Sequence, residues 1–264
     1  MDIWEIVILR PMINVLIVTS KYLFNSPGLA IIVFTILIKV AMYPLTKKQL
    51  LASKKMQDKQ PKIQELQKKY GKDKQRFQQE QAALLKETGA MNLGCILPML
   101  IQMPIWIALY QSIIRVLATG PEELLNLSRY LYPHWNIVFP MVPLNSQFLW
   151  LNLGAPDSLY ILPILVGGSM WLQQKMVTPT NTDPQQAAQS QMMLFMMPIL
   201  FAFMTMNFPS GLALYWVASN IIGIIMQYFI TGWGGLADLF GKKTNTTGKP
   251  PSKPADDLKK LPAK

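Results

Sequence analysis

One lysine lies in an apolar stretch of the chain where a charge is costly. Lys39 is seven residues before Thr46, which places it about 10 Å from the cytoplasmic end of a predicted span over residues 28–46. A charged group at the bilayer centre costs about 2.5–3.5 kcal/mol, so such residues usually have a function. Thr35 lies one helical turn deeper on the same face. Lys39 is therefore a candidate for attracting acidic groups, although its stem also allows the ammonium group to reach the cytoplasmic interface.

Several amide side chains occur at comparable depth in other apolar segments. A single amide in a span most often bonds one helix to another. Several amides near one lysine predict instead a hydrated cavity that opens to the cytoplasm. The predicted polar groove residues beside Lys39 are Thr35, Gln102, Gln173, Asn220 and Gln227.

Methionine is frequent, with 17 residues in the chain. Flexible thioethers suit surfaces that accept many apolar shapes, although a plain lipid-facing helix explains one methionine-rich span better. Two faces at helical spacing are candidates for a surface along which an apolar substrate slides. They contain Met99, Met103 and Trp106 in one segment, and Met193, Met197, Phe201 and Met204 in another.

Residues for catalysis or metal binding are scarce. The apolar segments contain no Asp or Glu, which leaves no carboxylate proton relay and no acidic cation site. A single cysteine, Cys95, cannot form an internal disulfide, and the lone His134 cannot build a histidine metal site. The sequence therefore predicts no enzyme and no cofactor.

The apolar segments themselves predict a membrane protein. Of 264 residues, 51% are hydrophobic and only 15% are charged, against about a quarter charged in soluble domains. Five runs approach the roughly 20 residues that span a bilayer. They are residues 28–46, 91–118, 158–178, 191–208 and 211–231, the last two forming a helix pair over 191–231 joined by a tight turn. Residues 1–27 contain an amphipathic stretch, 3–25, which we interpret as an interfacial helix on the outer face, with a sixth span as the alternative.

The distribution of basic residues predicts the orientation. Residues 47–90 carry eleven Lys and Arg76, and the tail 232–264 carries seven Lys, whereas the connection 119–157 has Arg129 alone. Basic loops stay in the cytoplasm, so the C-terminus and the loop 179–190 lie inside and 119–157 lies outside. We predict that residues 47–90 form a cytoplasmic helical hairpin and that residues 232–264 form a basic disordered tail.

Four stretches resemble the YidC/Oxa/Alb insertase family, a similarity that covers roughly residues 3–231. They are GLAIIVFTILIKVAMYPLTKKQL (28–50), CILPMLIQMPIWIALYQS (95–112), YILPILVGGSMWLQQKM (160–176) and NFPSGLALYWVASNIIGIIMQ (207–227). The resemblance implies an all-α five-transmembrane-helix bundle, with a polar groove open to the cytoplasm and to lipid but closed outside. We expect this protein to lack the large periplasmic domain and the extra N-terminal span of Gram-negative members.

The resemblance also implies roles for particular residues. Lys39 stands where the family typically has arginine, which keeps the charge but loses the bidentate fork. Thr35 matches a substrate-contacting position. The apolar path of the substrate is matched by Trp106, Met204, Tyr215 and Trp216.

The implied function is insertion and chaperoning of membrane proteins in the bacterial plasma membrane. The implied partners are nascent membrane proteins, the lipid bilayer, the ribosome through the basic tail and hairpin, the Sec translocon and the signal-recognition-particle receptor. A transporter would instead show paired repeats or acidic coupling sites. An intramembrane enzyme would need a nucleophile beside a base. A chaperone that folds membrane proteins without inserting them has no distinguishing sequence feature.

Overall fold

The computed structural model describes residues 3–70, 73–87, 93–117, 120–132, 144–178 and 184–236. As predicted, they are mostly helical. The helices are α1 (Arg10–Tyr22), after a π-helical turn at Glu5–Leu9, α2 (Pro27–Ala41), α3 (Tyr43–Tyr70), α4 (Lys74–Glu87), α5 (Leu93–Val116), α6 (Pro121–Ser128), α7 (Ile161–Val177), α8 (Pro184–Thr205) and α9 (Ser210–Thr231). An antiparallel hairpin of β1 (Gln147–Phe148) and β2 (Leu151–Asn152) precedes α7, and a 3₁₀ turn, Gly234–Leu236, follows α9.

Local sequence signals account for where α2 and α9 begin or end. Ser26 caps α2 by accepting a hydrogen bond from the Leu29 amide, and Pro27 takes the first helical position, where its missing N–H costs nothing. α9 ends at Gly232, whose φ of 78° lies in the left-handed region that glycine adopts without strain.

Two helices are long and apolar enough by themselves to cross a membrane. Within the described part of the chain they are Ala187–Thr205 of α8 and Ser210–Thr231 of α9. The segments Glu5–Tyr22 and Pro27–Ala41 pass the same test only as a pair, and they are bent by 119° at their junction. α2 and α7, with 15 and 17 residues, are short of the roughly 20 that a perpendicular span requires. The five-span arrangement therefore stays a prediction.

The helices pack around α9 and α7. α7 lies against both α8 and α9, α2 packs on α9 and α1, and α1 also contacts α5. Over residues 43–87, α3 and α4 pack on each other, and the Gln57 side chain of α3 donates a hydrogen bond to the Val177 carbonyl at the end of α7.

The tightly packed core lies at one end of this bundle. It takes residues from the first turns of α2, α7 and α9, the last turns of α5, and from α1 and residues 127–131 and 144–153. Representative members are Ile13, Ile31, Leu109, Leu127, Leu153, Leu162, Val166, Leu212 and Tyr215. Among the described residues, the far halves of α2, α7 and α9 add nothing to this core. We call this densely packed end the closed end.

Candidate functional site

Lys39 lies well away from the closed end. It is twelve residues after Pro27, or about 18 Å along α2. Its side chain is half-buried, and no carboxylate of the described residues forms an ion pair with it. Thr35 is fully buried, and its hydroxyl donates to the Ile31 carbonyl of its own helix at 2.6 Å. The lysine is thus a charge without an internal partner in the described part of the chain, whereas the threonine is satisfied locally.

Two of the predicted groove amides lie at a similar depth but join α7 to α9. Gln173 is twelve residues into α7 and Asn220 ten residues into α9, or about 18 and 15 Å from the starts of their helices. Asn220 donates from Nδ2 to the Ser169 hydroxyl at 3.1 Å. The Gln173 amide occupies the space that a side chain at Gly223 would need. Asn220 therefore links the two helices by a hydrogen bond, whereas Gln173 packs against α9 beside Gly223.

The other two predicted amides have different surroundings. Gln102 donates from Nε2 to the Tyr215 hydroxyl, which links α5 to α9. Tyr215 itself is buried, so its ring is part of the core and not of an exposed path. Gln227 is also buried, and its Oε1 has no hydrogen-bond partner among the described residues. That oxygen is the one orphaned acceptor among the predicted groove side chains that the structure describes.

An aromatic cluster brings three of the predicted sliding residues together. Trp106 and Trp216 stack with ring centroids 5.8 Å apart, and Phe201 meets Trp216 edge-on at 5.4 Å. Tyr110 and Phe208 complete the cluster, edge to face at 5.6 Å. Sequence reasoning missed these last two. Tyr110 lies one turn after Trp106 on the same face, and that spacing was the available signal.

The methionines mostly face outward. Met193 and Met197 on α8 and Met103 on α5 are 49%, 42% and 44% exposed, and Met204 is half-buried. Met99 lies in α5, where the structure does not describe its side chain. α8 packs mainly on α7, so most of its apolar surface is open to lipid or to another helix.

The start of α9 is fastened to the segment before α7. We call residues 147–155 the strap. The strap accepts three hydrogen bonds from the first two residues of α9. The Ser210 amide donates to the Ala155 carbonyl at 2.8 Å, and the Ser210 hydroxyl donates to the backbone carbonyl of Asn152 at 2.6 Å. The Gly211 amide donates to the Leu153 carbonyl oxygen at 3.0 Å. A Cβ at Gly211 would lie 3.1 Å from that same oxygen. The Phe-Pro-Ser-Gly turn is thus a fastening point, a role that its sequence did not reveal.

A second network fastens the N-terminal helix at the closed end. The fully buried Asn14 donates to the Tyr130 carbonyl at 2.8 Å and accepts from the Tyr132 amide at 3.0 Å. The Tyr130 hydroxyl donates to the Glu5 carboxylate at 2.7 Å. Arg10 donates to the Leu131 carbonyl at 3.2 Å. Because buried polar groups are costly without partners, these bonds hold α1 against the 130–132 segment.

The described side chains of this region offer electrostatic attraction and apolar contact. Among them, no three His, Cys, Asp or Glu residues come together as a metal site. The arrangement combines a half-buried cation, polar links between helices and a wide apolar surface. Such a surface can hold an apolar segment, while the cation attracts acidic groups attached to it.

Comparison with known proteins identifies the family. A sequence model described as 60Kd inner membrane protein matches residues 19–234. The chain is 40% identical to "Membrane protein insertase YidC" of Oceanobacillus iheyensis over 237 residues, which is 86% of this chain and 83% of that protein. It is 36% identical to "Membrane protein insertase MisCA" of Bacillus subtilis over 233 residues, covering 87% and 79%.

A longer relative is matched over part of its length only. The chain is 41% identical to "Membrane protein insertase YidC" of Syntrophus aciditrophicus over 219 residues, which is 81% of this chain but 35% of that protein. The chain therefore belongs to the 60Kd inner membrane protein family, the YidC/Oxa insertases, and is a membrane protein.

Proposed function

We propose that the protein is a membrane protein insertase and chaperone. It receives hydrophobic segments of nascent proteins in a hydrated, positively charged groove and releases them laterally into the bilayer. The observation that carries this proposal is the half-buried Lys39, which has no ion-pair partner among the described residues and lies about 18 Å from the densely packed end of the bundle. A groove closed at one end and open at the other shortens the distance that a hydrophilic tail must cross.

The proposed orientation puts the closed end on the outer face of the bacterial plasma membrane and the C-terminus in the cytoplasm. The strap and the 130–132 segment belong to a connection with one basic residue, whereas α3 and α4 belong to the strongly basic 47–90 region. Basic loops stay in the cytoplasm. Residues 28–46, 91–118, 158–178 and 191–231 then form the five-helix bundle, and α1 lies as an interfacial helix at the outer surface.

Lys39 acts in this proposal as a transient partner for acidic groups on the translocating segment. A permanent ion pair in a dry site would trap the substrate, so a wet groove that weakens the attraction suits the task. The Oε1 of Gln227, which has no hydrogen-bond partner among the described residues, and the side chain of Gln173 supply further polar contacts. Gln102 and Asn220 supply more when their hydrogen bonds between helices open.

The apolar part of the substrate moves along a different surface. The exposed methionines of α8 supply adaptable apolar contacts. The aromatic cluster supplies rigid ones. Transfer of the substrate helix into lipid then follows from burial of its own apolar area, at about 25 cal/mol per Å². No covalent step is needed, and the protein acts without catalysis or cofactor.

Cytoplasmic partners are proposed from charge. The helical hairpin and the seven-lysine tail would meet ribosomal RNA through phosphate attraction, which weakens as salt rises. The Sec translocon and the signal-recognition-particle receptor are further proposed partners in delivering substrates.

Reconstitution tests the proposal. Purified protein in liposomes should insert a short single-span substrate with an acidic outer tail, so that the tail becomes protected from added protease. Protein-free liposomes, and a substrate whose apolar segment is replaced by polar residues, are the controls. Equal protection with and without the protein would contradict insertase activity. Protection that does not increase, together with improved folding of an already inserted substrate, would favour a chaperone alone.

A further inference from the structure

Three large apolar residues have left-handed backbone conformations in exposed turns. Phe24, Leu149 and Tyr160 have φ values of 58°, 55° and 56°. Their side chains are 93%, 75% and 53% exposed. Bulky residues are disfavoured in this conformation, which glycine or asparagine adopts more readily. The sequence thus keeps large apolar side chains at turn positions where neither backbone preference nor burial within the chain accounts for them.

All three turns lie at the closed end. Phe24 is two residues before Ser26, the cap of α2, and Tyr160 is the residue directly before α7. Leu149 follows Phe148, whose ring occupies the space beside Gly28 in the first turn of α2. The strap that carries Leu149 is also bonded to the first residues of α9. The three turns therefore lie next to the starts of α2, α7 and α9.

The neighbouring residues have the chemistry of a membrane–water interface. Tyr22, Trp150 and Leu159 are exposed in the same turns, and Lys21 is the one charged residue directly beside any of them. Tyrosine and tryptophan concentrate at the headgroup level, where the ring body is apolar and the polar group stays wet. The helices that begin here belong to a membrane protein, and exposed apolar and aromatic side chains at their first turns fit the headgroup level of a bilayer.

We infer that the turns carrying Phe24, Leu149 and Tyr160 form an anchor in the interfacial layer of the outer leaflet. The inference rests on the orientation given in the proposed function. The anchor holds the closed end at the surface of the hydrocarbon core. Lys39, about 18 Å further along α2, then lies near the middle of a core about 30 Å thick. The anchor thereby sets the depth at which the groove presents its charge.

Site-specific fluorescence tests the anchor. In a Cys95→Ser background, single variants Phe24→Cys, Leu149→Cys and Tyr160→Cys carry an environment-sensitive fluorophore in proteoliposomes. The lipids contain a spin label at a shallow acyl position. Asn126→Cys, at an exposed polar position on α6, is the matched control. We expect quenching at the three turn positions to be about twofold stronger than at residue 126, with blue-shifted emission.

The outcomes separate the anchor from the proposed function. Quenching at all three turns equal to that at residue 126 would overturn the anchor. If those same labelled proteins still insert substrate, the proposed function stands without it. Strong quenching at the three turns would support the anchor. If neither the labelled nor the unlabelled protein then inserts any substrate, the insertase proposal is contradicted while the anchor stands.

Discussion

Trp106 on α5 and Trp216 on α9 stack with centroids 5.8 Å apart and ring planes inclined by 21°. Phe208, in the turn between α8 and α9, meets both rings edge-on, at 5.9 and 6.4 Å. The pair thus joins two helices that are distant in sequence, and it lies beside the exposed apolar surface of α8. It is both a structural link and the best-defined part of the proposed sliding surface.

The stacked pair should show energetic coupling. We expect Trp106→Ala and Trp216→Ala each to lower the free energy of unfolding. The loss in the double variant should be smaller than the sum of the two single losses by about 0.5–1.5 kcal/mol. The measurement is the free energy of unfolding in detergent micelles for the full cycle. Trp150→Ala, an exposed tryptophan outside the cluster, is the control. Strict additivity of the two losses would show that the rings do not interact.

Gly211 and Gly168 should respond in opposite ways to alanine. A Cβ at Gly211 would lie 3.1 Å from the Leu153 carbonyl of the strap, whereas a Cβ at Gly168 meets nothing within 4 Å. Alanine is favoured over glycine in helices by about 1 kcal/mol, so Gly168→Ala should raise the melting temperature. Gly211→Ala should lower it, because the hydrogen-bonded strap must shift. A similar rise in both variants would show that the strap does not constrain α9.

The stability contribution of Tyr130 should depend on pH. Burial raises the pKa of Tyr130 above its ordinary value of 10.0, and the hydrogen bond that its hydroxyl donates to Glu5 raises it further, partly offset by Arg115. A pKa that is higher in the folded state stabilises the fold fully below about pH 10, and this contribution is lost as the pH rises through the folded pKa. Tyr130→Phe should therefore cost about 1.5–3 kcal/mol near pH 7, and less above pH 10.

Unfolding free energies of wild type and Tyr130→Phe across this pH range check the prediction. Tyr22→Phe, at an exposed tyrosine, is the control and should change stability little near pH 7. A constant difference between wild type and Tyr130→Phe up to strongly alkaline pH would contradict the assigned bond to Glu5.

Hydropathy predicted the helical character of this chain better than it predicted contacts. In a soluble protein the apolar face of a helix marks the core, but in a membrane the lipid-facing side is apolar as well. The rotation of α8 could not be read from its methionines for this reason. Exposed Met193 and buried Leu194 are adjacent and equally apolar.

The contacts of polar residues were equally hard to predict from the sequence. The sequence identified Gln102 and Asn220 as unusual in apolar segments, but not whether they face a groove or a neighbouring helix. Their partners, Tyr215 and Ser169, lie 113 and 51 residues away in the chain. Likewise, the bonds from Ser210 to the strap depend on how separate segments assemble. Local spacing contains no information about such contacts.

The most direct test of the account changes the charge at Lys39 and on the substrate together. Liposomes containing wild type, Lys39→Ala, Lys39→Gln or Lys39→Arg protein would receive single-span substrates with acidic or neutral outer tails, scored by protease protection. Lys21→Ala, at an exposed lysine, is the control. We expect insertion of the acidic substrate to fall about tenfold in Lys39→Ala and Lys39→Gln and to survive in Lys39→Arg, with a smaller effect on the neutral substrate. Equal insertion by all four proteins would show that Lys39 reaches the interface without acting on the substrate, and would contradict the electrostatic mechanism.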